Sequence, residues 1–352
     1  MALFEVKDID RKIWEDELRD FLPEKIIDVH THVYKRSFFK PIPGVSSRGV
    51  VSWTATVAKE NPIEDLKETY DLMFPGKEVT PLMFIAGRSG VKENNAYLSE
   101  AAKEYGWPAL YYSHPSQSAD ELEEEIRKGG FLGVKCYLNR APSYLPPDEI
   151  RILDFFPKHQ LERLNEMGAI CMCHIPRSKR LRDKVNIAQI LEIRKEFPKL
   201  RLIVAHIGRA YTKEDVGDAF DMLTTEPETM YDFSANCCDY AIREVISRCG
   251  AKHVMFGTDM PILRMRTHRI EENGTYVNLV PPGLYFDPNG DPHLREVSEE
   301  EGEKITFFAY EELLAFKRVA EELGLSREDV EDIMYNNAKN LIDGARRDIY
   351  GE

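Results

Sequence analysis

Short apolar segments alternate with longer amphipathic ones along most of this chain. Eight short segments, at 25–33, 79–86, 107–113, 131–137, 168–174, 200–207, 229–235 and 252–258, have the length and flanking turn residues of buried strands. Between them the apolar spacing predicts helices near 62–74, 92–105, 119–128, 158–167, 184–197, 212–225 and 238–249. A last pair follows near 305–323 and 326–341. Local signals agree with these limits. Pro62 stands just inside a helix start after Asn61, Gly129-Gly130 and Gly168 close helices ahead of strands, and Ser326 to Asp329 has capping-box spacing. Strands that alternate with helices build a parallel sheet, and a count of eight points to an α/β fold, a distorted (β/α)8 TIM barrel.

Two stretches break the rhythm. Residues 34–61 separate the first strand from its helix, and residues 260–304, rich in Pro, Gly, Asn and charge, follow the eighth. Loops of this length are uncommon unless they serve a function. Both follow strand C-termini, where barrel active sites are built. They read as long insertions after strands 1 and 8, over the active site of a single domain spanning 1–352. Tyr34, Phe38 and Trp53 in the first insertion either wall a pocket or pack a subunit contact.

Composition narrows the function classes. A hydrophobic fraction of 43% in 352 residues is ample for a large core. The net charge of −14 speaks against nonspecific binding to nucleic acid or to an anionic membrane, and leaves a local cationic pocket open. No apolar run approaches the roughly 18 residues of a membrane span. Charges also stand where a signal peptide needs its apolar core, so a soluble cytoplasmic protein is expected. The six cysteines are expected to be reduced, and Cys171-Met-Cys173 and Cys237-Cys238 lack the spacing of structural zinc pairs. Asn273-Gly-Thr275 matches a glycosylation acceptor, which in such a chain reads as chance.

The strand ends carry the chemistry. Residues 25–32 read Lys-Ile-Ile-Asp-Val-His-Thr-His, and strand alternation puts Asp28, His30 and His32 on one face. His174 ends the fifth strand, His206 the sixth, and Asp259 the eighth. Any one of these alone reads more simply as a hydrogen-bonded structural residue or a turn cap. Four strand ends of one barrel converge on a single mouth, and imidazoles with a carboxylate there suit Zn²⁺ or a similar ion.

These pieces also resemble a known family. Ile-Asp-Val-His-Thr-His at 27–32, Gly-Val-Lys-Cys-Tyr at 133–137, Cys-His at 173–174, Val-Ala-His-Ile-Gly at 204–208 and Phe-Gly-Thr-Asp-Met-Pro at 256–261 are similar to the amidohydrolase superfamily. With Met-Tyr-Asn-Asn-Ala-Lys-Asn-Leu at 334–341, the order most resembles the amidohydrolase 2 branch, which includes enzymes of the aminocarboxymuconate-semialdehyde decarboxylase type. The resemblance implies a divalent metal at the barrel mouth, most simply one Zn²⁺, bound by His30, His32 and His174, with Asp259 on the metal or its water. It implies that His206 transfers a proton or polarises the substrate, although in two-metal members the matching histidine is a ligand. Lys135 matches the lysine that, when carboxylated, bridges two metals, and in single-metal members stays an amine. The branch often forms dimers, which leaves a homodimer open.

Substrate contacts are read from charge. Arg140, Arg177 and Arg209 follow strands 4, 5 and 6, and Arg264, Arg266 and Arg269 lie in the second insertion. Guanidinium forks suit carboxylates, so a small anionic substrate is expected, unless these arginines are loop charges and ion pairs. The reading is a metal-dependent hydrolase of a small anionic lactone, amide or ester. A nonoxidative decarboxylase of the same branch is the rival, and a non-catalytic binding barrel the third alternative.

Overall fold

The computed structural model describes residues 2–40, 54–87, 89–223, 229–285 and 290–352, so Trp53 and the rest of 41–53 in the first insertion lie outside the described residues. Eight parallel strands follow the expected segments. They are β1 Lys25–His32, β2 Glu78–Phe84, β3 Tyr111–Tyr112, β4 Gly133–Cys136, β5 Ile170–Cys173, β6 Arg201–Val204, β7 Thr229–Asp232 and β8 Val254–Met255. Strands β3 to β8 pair in sequence order, and β1 pairs with β2. Backbone bonds join these two groups at both ends. Leu110 N–H donates to Met83 O at 2.8 Å, while Val29 N–H donates to Phe256 O at 3.0 Å and Asp259 N–H to His30 O at 2.7 Å. The eight strands therefore close into a barrel, as a sheet must if no edge is to stay unpaired.

Apolar alternation sorts the core into two layers. Ile27, Val29, Leu82, Phe84, Leu110, Leu132, Ile170, Met172, Ile203 and Met255 fill the interior, together with Ala338, Leu341 and Ile342 of the C-terminal helix Asn337–Tyr350. Strand residues of the opposite parity, such as Ile26, Val134, Cys171, Leu202 and Val254, pack outward with the helices. All six cysteines are free thiols. Among the described residues no helix is long and apolar enough to cross a membrane.

Three local differences from the expected pattern have clear causes. Of the predicted helix 212–225, the described residues form only Lys213–Val216 and the single turn Ala219–Asp221, because Gly217 turns the chain at φ 51°, ψ −130°. The insertion 260–304 is not all loop, since β9 His268–Glu272 and β10 Thr275–Val280 form a hairpin, with β11 Leu294–Glu296 parallel to β10. Asn273 and Gly274, both at positive φ, make its two-residue turn. The N-terminal helix Asp8–Ile13, which buries Asp10 and leads to buried Trp14, was not expected at all.

Candidate metal centre

The first strand does not alternate regularly to its end. Asp28 pairs with Pro81 but Thr31 with Met83, so β1 carries one extra residue between them. This β-bulge reverses the side-chain parity. Val29 stays with the interior residues, and His30 and His32 follow it to the barrel mouth. Asp28 does not share their face, which corrects the alternation reading. Its carboxylate instead accepts from Thr31 Oγ1 at 2.6 Å, Tyr70 OH at 2.7 Å and Thr258 N–H at 2.9 Å. A Cβ on Gly257 would lie 2.8 Å from His30 Cβ, so the eighth strand needs glycine there for the imidazole to seat.

The buried partners assign the hydrogens on the imidazoles. His30 Nδ1 lies 3.1 Å from Asp232 Oδ2, so Nδ1–H donates there and Nε2 keeps its lone pair. That Nε2 is buried without a hydrogen-bond partner, 3.5 Å from Asp259 Oδ1. His32 Nδ1 faces the Ile85 carbonyl at 3.3 Å, which directs its Nε2 to the same Asp259 Oδ1 at 3.0 Å. Two lone pairs and a carboxylate oxygen thus converge on one point. Such a convergence is repulsive unless a cation occupies it.

His206 is set by the same logic. The Ser234 hydroxyl spends its one hydrogen on Asp232 Oδ1, so it and the Ser234 carbonyl both accept from His206 Nδ1, at 2.8 and 2.9 Å. Nε2 of His206 is therefore an acceptor. The residues from His206 to Arg209 all have positive φ, between 49° and 61°. A left-handed turn of this length costs on the order of 1–2 kcal/mol per non-glycine residue, and strain of that kind gathers at functional sites. Asp232, whose carboxylate meets the first N–H of this turn, takes three backbone or hydroxyl donors besides His30, namely the His206 and Ser234 N–H groups and the Ser234 hydroxyl.

Protonation states follow from burial and charge. Burial, with the nearby Lys135 charge, lowers His30 to about 3 despite Asp232. Burial, helped by Arg209, also lowers His174, and burial lowers His206. Burial alone would raise Asp259, but any positive charge at His32, His30 or His206 pulls it down, to about 2. Asp232 is likewise held below the ordinary carboxylate range by His30, against the cost of its burial. Neutral imidazoles beside ionised carboxylates are the forms that ligate metals.

The expected site residues fall unevenly. Among the described residues, two groups of three ligand atoms lie within 4.8 Å of one another: His30, His32 and Asp259, and His30, His206 and Asp232. His174 is in neither, although its ring lies 5.4 Å from that of His206 and its Nδ1 is buried without a partner. Lys135 is fully buried, its Nζ without a hydrogen-bond partner, 5.0 Å from the Phe84 ring centre and 4.8 Å from that of Tyr137. Burial lowers this amine to about 8, against the pull of Asp232 and Asp259. Arg140 stacks on Tyr112, and Arg177 pairs with Asp183 at 3.2 Å. Arg209 points Nη1 at the carbonyls of Ile175, Pro176 and Arg177, each at 3.3 Å. Of the arginines in the second insertion, Arg264 bonds Asn61, Arg266 pairs with Asp10, and Arg269 stacks on Tyr276 with 4.4 Å to the ring centre. Phe38 lies 6.4 Å from the Tyr97 ring and Tyr34 stacks on Phe39. Asp232 and Tyr137 are the members that the strand-end reading left without a role. Asp232 carried the same signal, a titratable residue closing a strand.

The family model described as Amidohydrolase matches residues 27–343. No curated protein matches the sequence. Among solved structures, the chain is similar to a probable 2-pyrone-4,6-dicarboxylic acid hydrolase from Acinetobacter baumannii with citric acid bound, at TM-score 0.55 and 14% identity, covering 90% of this chain and 99% of that one. It is similar to 4-oxalomesaconate hydratase from Rhodopseudomonas palustris at TM-score 0.54 and 15% identity, over 93% and 98% of the two chains. A dihydroxybenzoic acid decarboxylase from Polaromonas sp. JS666, with bound manganese and the inhibitor 2-nitroresorcinol, matches at TM-score 0.51 and 14% identity, over 93% and 100%.

Proposed function

Because the chain belongs to the amidohydrolase family that its sequence model defines, we propose that it is a metal-dependent hydrolase of a small anionic lactone, amide or ester. The observation that carries this reading is the convergence of His30 Nε2, His32 Nε2 and Asp259 Oδ1 on one point. These three would hold the ion, with His174 completing the set. One ion fits better than two. In the second cluster Asp232 is taken up by His30, His206 and Ser234, and His30 Nδ1 donates rather than ligates. Lys135 then stays an amine, and Zn²⁺ suits the nitrogen-rich set.

The bound ion would lower the pKa of its water toward neutrality and polarise the substrate carbonyl. Around it, Asp259 takes the proton of the attacking water on its carboxylate. His206, whose Nε2 is an acceptor, suits proton transfer better than polarisation, since a neutral ring held this way has no hydrogen to offer there. Half-buried Arg209, with Arg177 and Arg140, would receive the anionic group, and the second insertion would wall the mouth. Tyr276 of β10 meets the Tyr211 ring edge-on at 5.2 Å, and Tyr211 lies 6.3 Å from His206.

A second reading, nonoxidative decarboxylation, draws support from the rings along the mouth. Phe84 and Tyr137 lie 4.7 and 6.2 Å from His32, and Tyr112 stacks on Tyr137 at 6.1 Å. Aromatic walls of this kind suit a planar aromatic acid. The test is to strip the protein with a chelator, restore Zn²⁺ or Mn²⁺, and assay carboxylated pyrone lactones for ring-opening and hydroxybenzoates for CO₂ release. Metal-dependent ring-opening is expected. CO₂ release without hydrolysis overturns the first reading for the second, and a protein that takes up no divalent metal overturns both.

A further inference from the structure

Tyr137 stands at the centre of the cluster with no role yet assigned. Its ring lies nearly parallel to His32 (6.2 Å, 26°) and to Tyr112 (6.1 Å, 29°), and 5.5 Å from His174. Among the described residues its hydroxyl has one hydrogen-bond partner, His32 Nε2 at 3.2 Å. That nitrogen has a single lone pair, because the Ile85 carbonyl holds the ring hydrogen on Nδ1.

A cation and the phenol compete for this one lone pair. Resting on the metal reading above, we propose that Tyr137 is a catalytic hydrogen-bond donor, held on His32 Nε2 until a metal takes that nitrogen and then turned to the substrate oxygen. The ring has no reason to leave when the metal arrives, since Tyr112 and His174 pack it and the Lys135 amine lies over it at 4.8 Å. A phenol is protonated at neutral pH and has one hydrogen to give. Once released it lies between two histidines of the mouth, half-buried, where an unmade hydrogen bond still has a cost. The acceptor it lacks is the one the substrate brings, an oxygen on which negative charge develops during attack at a carbonyl.

Zn²⁺ titration of chelator-stripped protein, followed by tyrosine difference absorption, tests the release directly. In the wild type the difference band should grow with the first equivalent of Zn²⁺ and then stop. Tyr137→Phe keeps the ring and its packing, so it should bind the same equivalent without the band, whereas Tyr112→Phe should retain it. Acetohydroxamate, whose oxyanion binds at such an ion, should bind zinc-loaded Tyr137→Phe at least about tenfold more weakly than wild type. A band unchanged by Tyr137→Phe overturns the proposal, as does equal acetohydroxamate affinity. Failure of the wild type to take up Zn²⁺ overturns the metal reading itself, a result distinct from either.

Discussion

Asp232 Oδ2 lies 3.1 Å from His30 Nδ1, and both side chains are fully buried. The carboxylate fixes the imidazole tautomer and so aims Nε2 at Asp259. Outer partners of this kind typically account for 10–100-fold in metal affinity. Asp232→Asn keeps the size and loses the charge, and its amide can turn a hydrogen toward Nδ1. We expect Zn²⁺ affinity, measured by chelator competition, to fall by about 10–100-fold with the fold retained. Unchanged affinity would remove Asp232 from the site.

Asp259 is asked to do two things, to complete the ligand set and to accept a proton. At φ 55° it holds a strained backbone, stabilised by its N–H bond to the His30 carbonyl. Asp259→Asn should abolish turnover while circular dichroism and the melting temperature stay close to wild type. Near-normal turnover would reject the role. Metal content of the same variant separates the two tasks, since a variant that retains Zn²⁺ and loses activity has lost the proton acceptor alone.

Much of this was legible along the chain, for physical reasons that differ by element. The eight strands are buried on both faces, so they read as short apolar runs, and His30, His32, His174, His206 and Asp259 stand out as polar ends on them. The β1 bulge was not legible, because one extra residue is defined only against the partner strand, here between Asp28 and Thr31 opposite Pro81 and Met83. Asp232 carried the right signal, but nothing in sequence shows that its oxygens meet His30 and His206 from other strands. The β9–β10 hairpin was legible. Asn273-Gly274 is a strong two-residue turn signal, hidden here by its match to a glycosylation acceptor and by a Pro- and Gly-rich surrounding.

Lys135 makes a prediction about stability and pH. Its folded value of about 8 lies below the ordinary 10.5, and burial is the first cause. Between those values the unfolded chain holds the extra proton, so this group's penalty is full below pH 8 and fades as pH rises through the window. In the metal-free protein Lys135→Met should therefore be more stable than wild type at pH 7, by roughly 3 kcal/mol at most. The gap should narrow in melts at pH 10. A gap independent of pH would mean that the amine is not the source. Metal analysis of the variant bears on the ion count, because loss of one of two ions would assign Lys135 the bridging role.

Arg209 separates an anionic from a neutral substrate. Its guanidinium is pushed down by burial, with Arg180 adding to the effect, and it depresses His174 in turn. It closes the strained turn that begins at His206, so a substitution also risks the turn itself. Paired substrates resolve the two effects. With Arg209→Gln, KM for a carboxylated ester or lactone should rise by about 10–100-fold while kcat changes little, as expected when an interaction common to ground and transition states is lost. The uncharged counterpart should lose little in either constant. Equal losses on both substrates would mean that Arg209 shapes the turn and does not recognise charge.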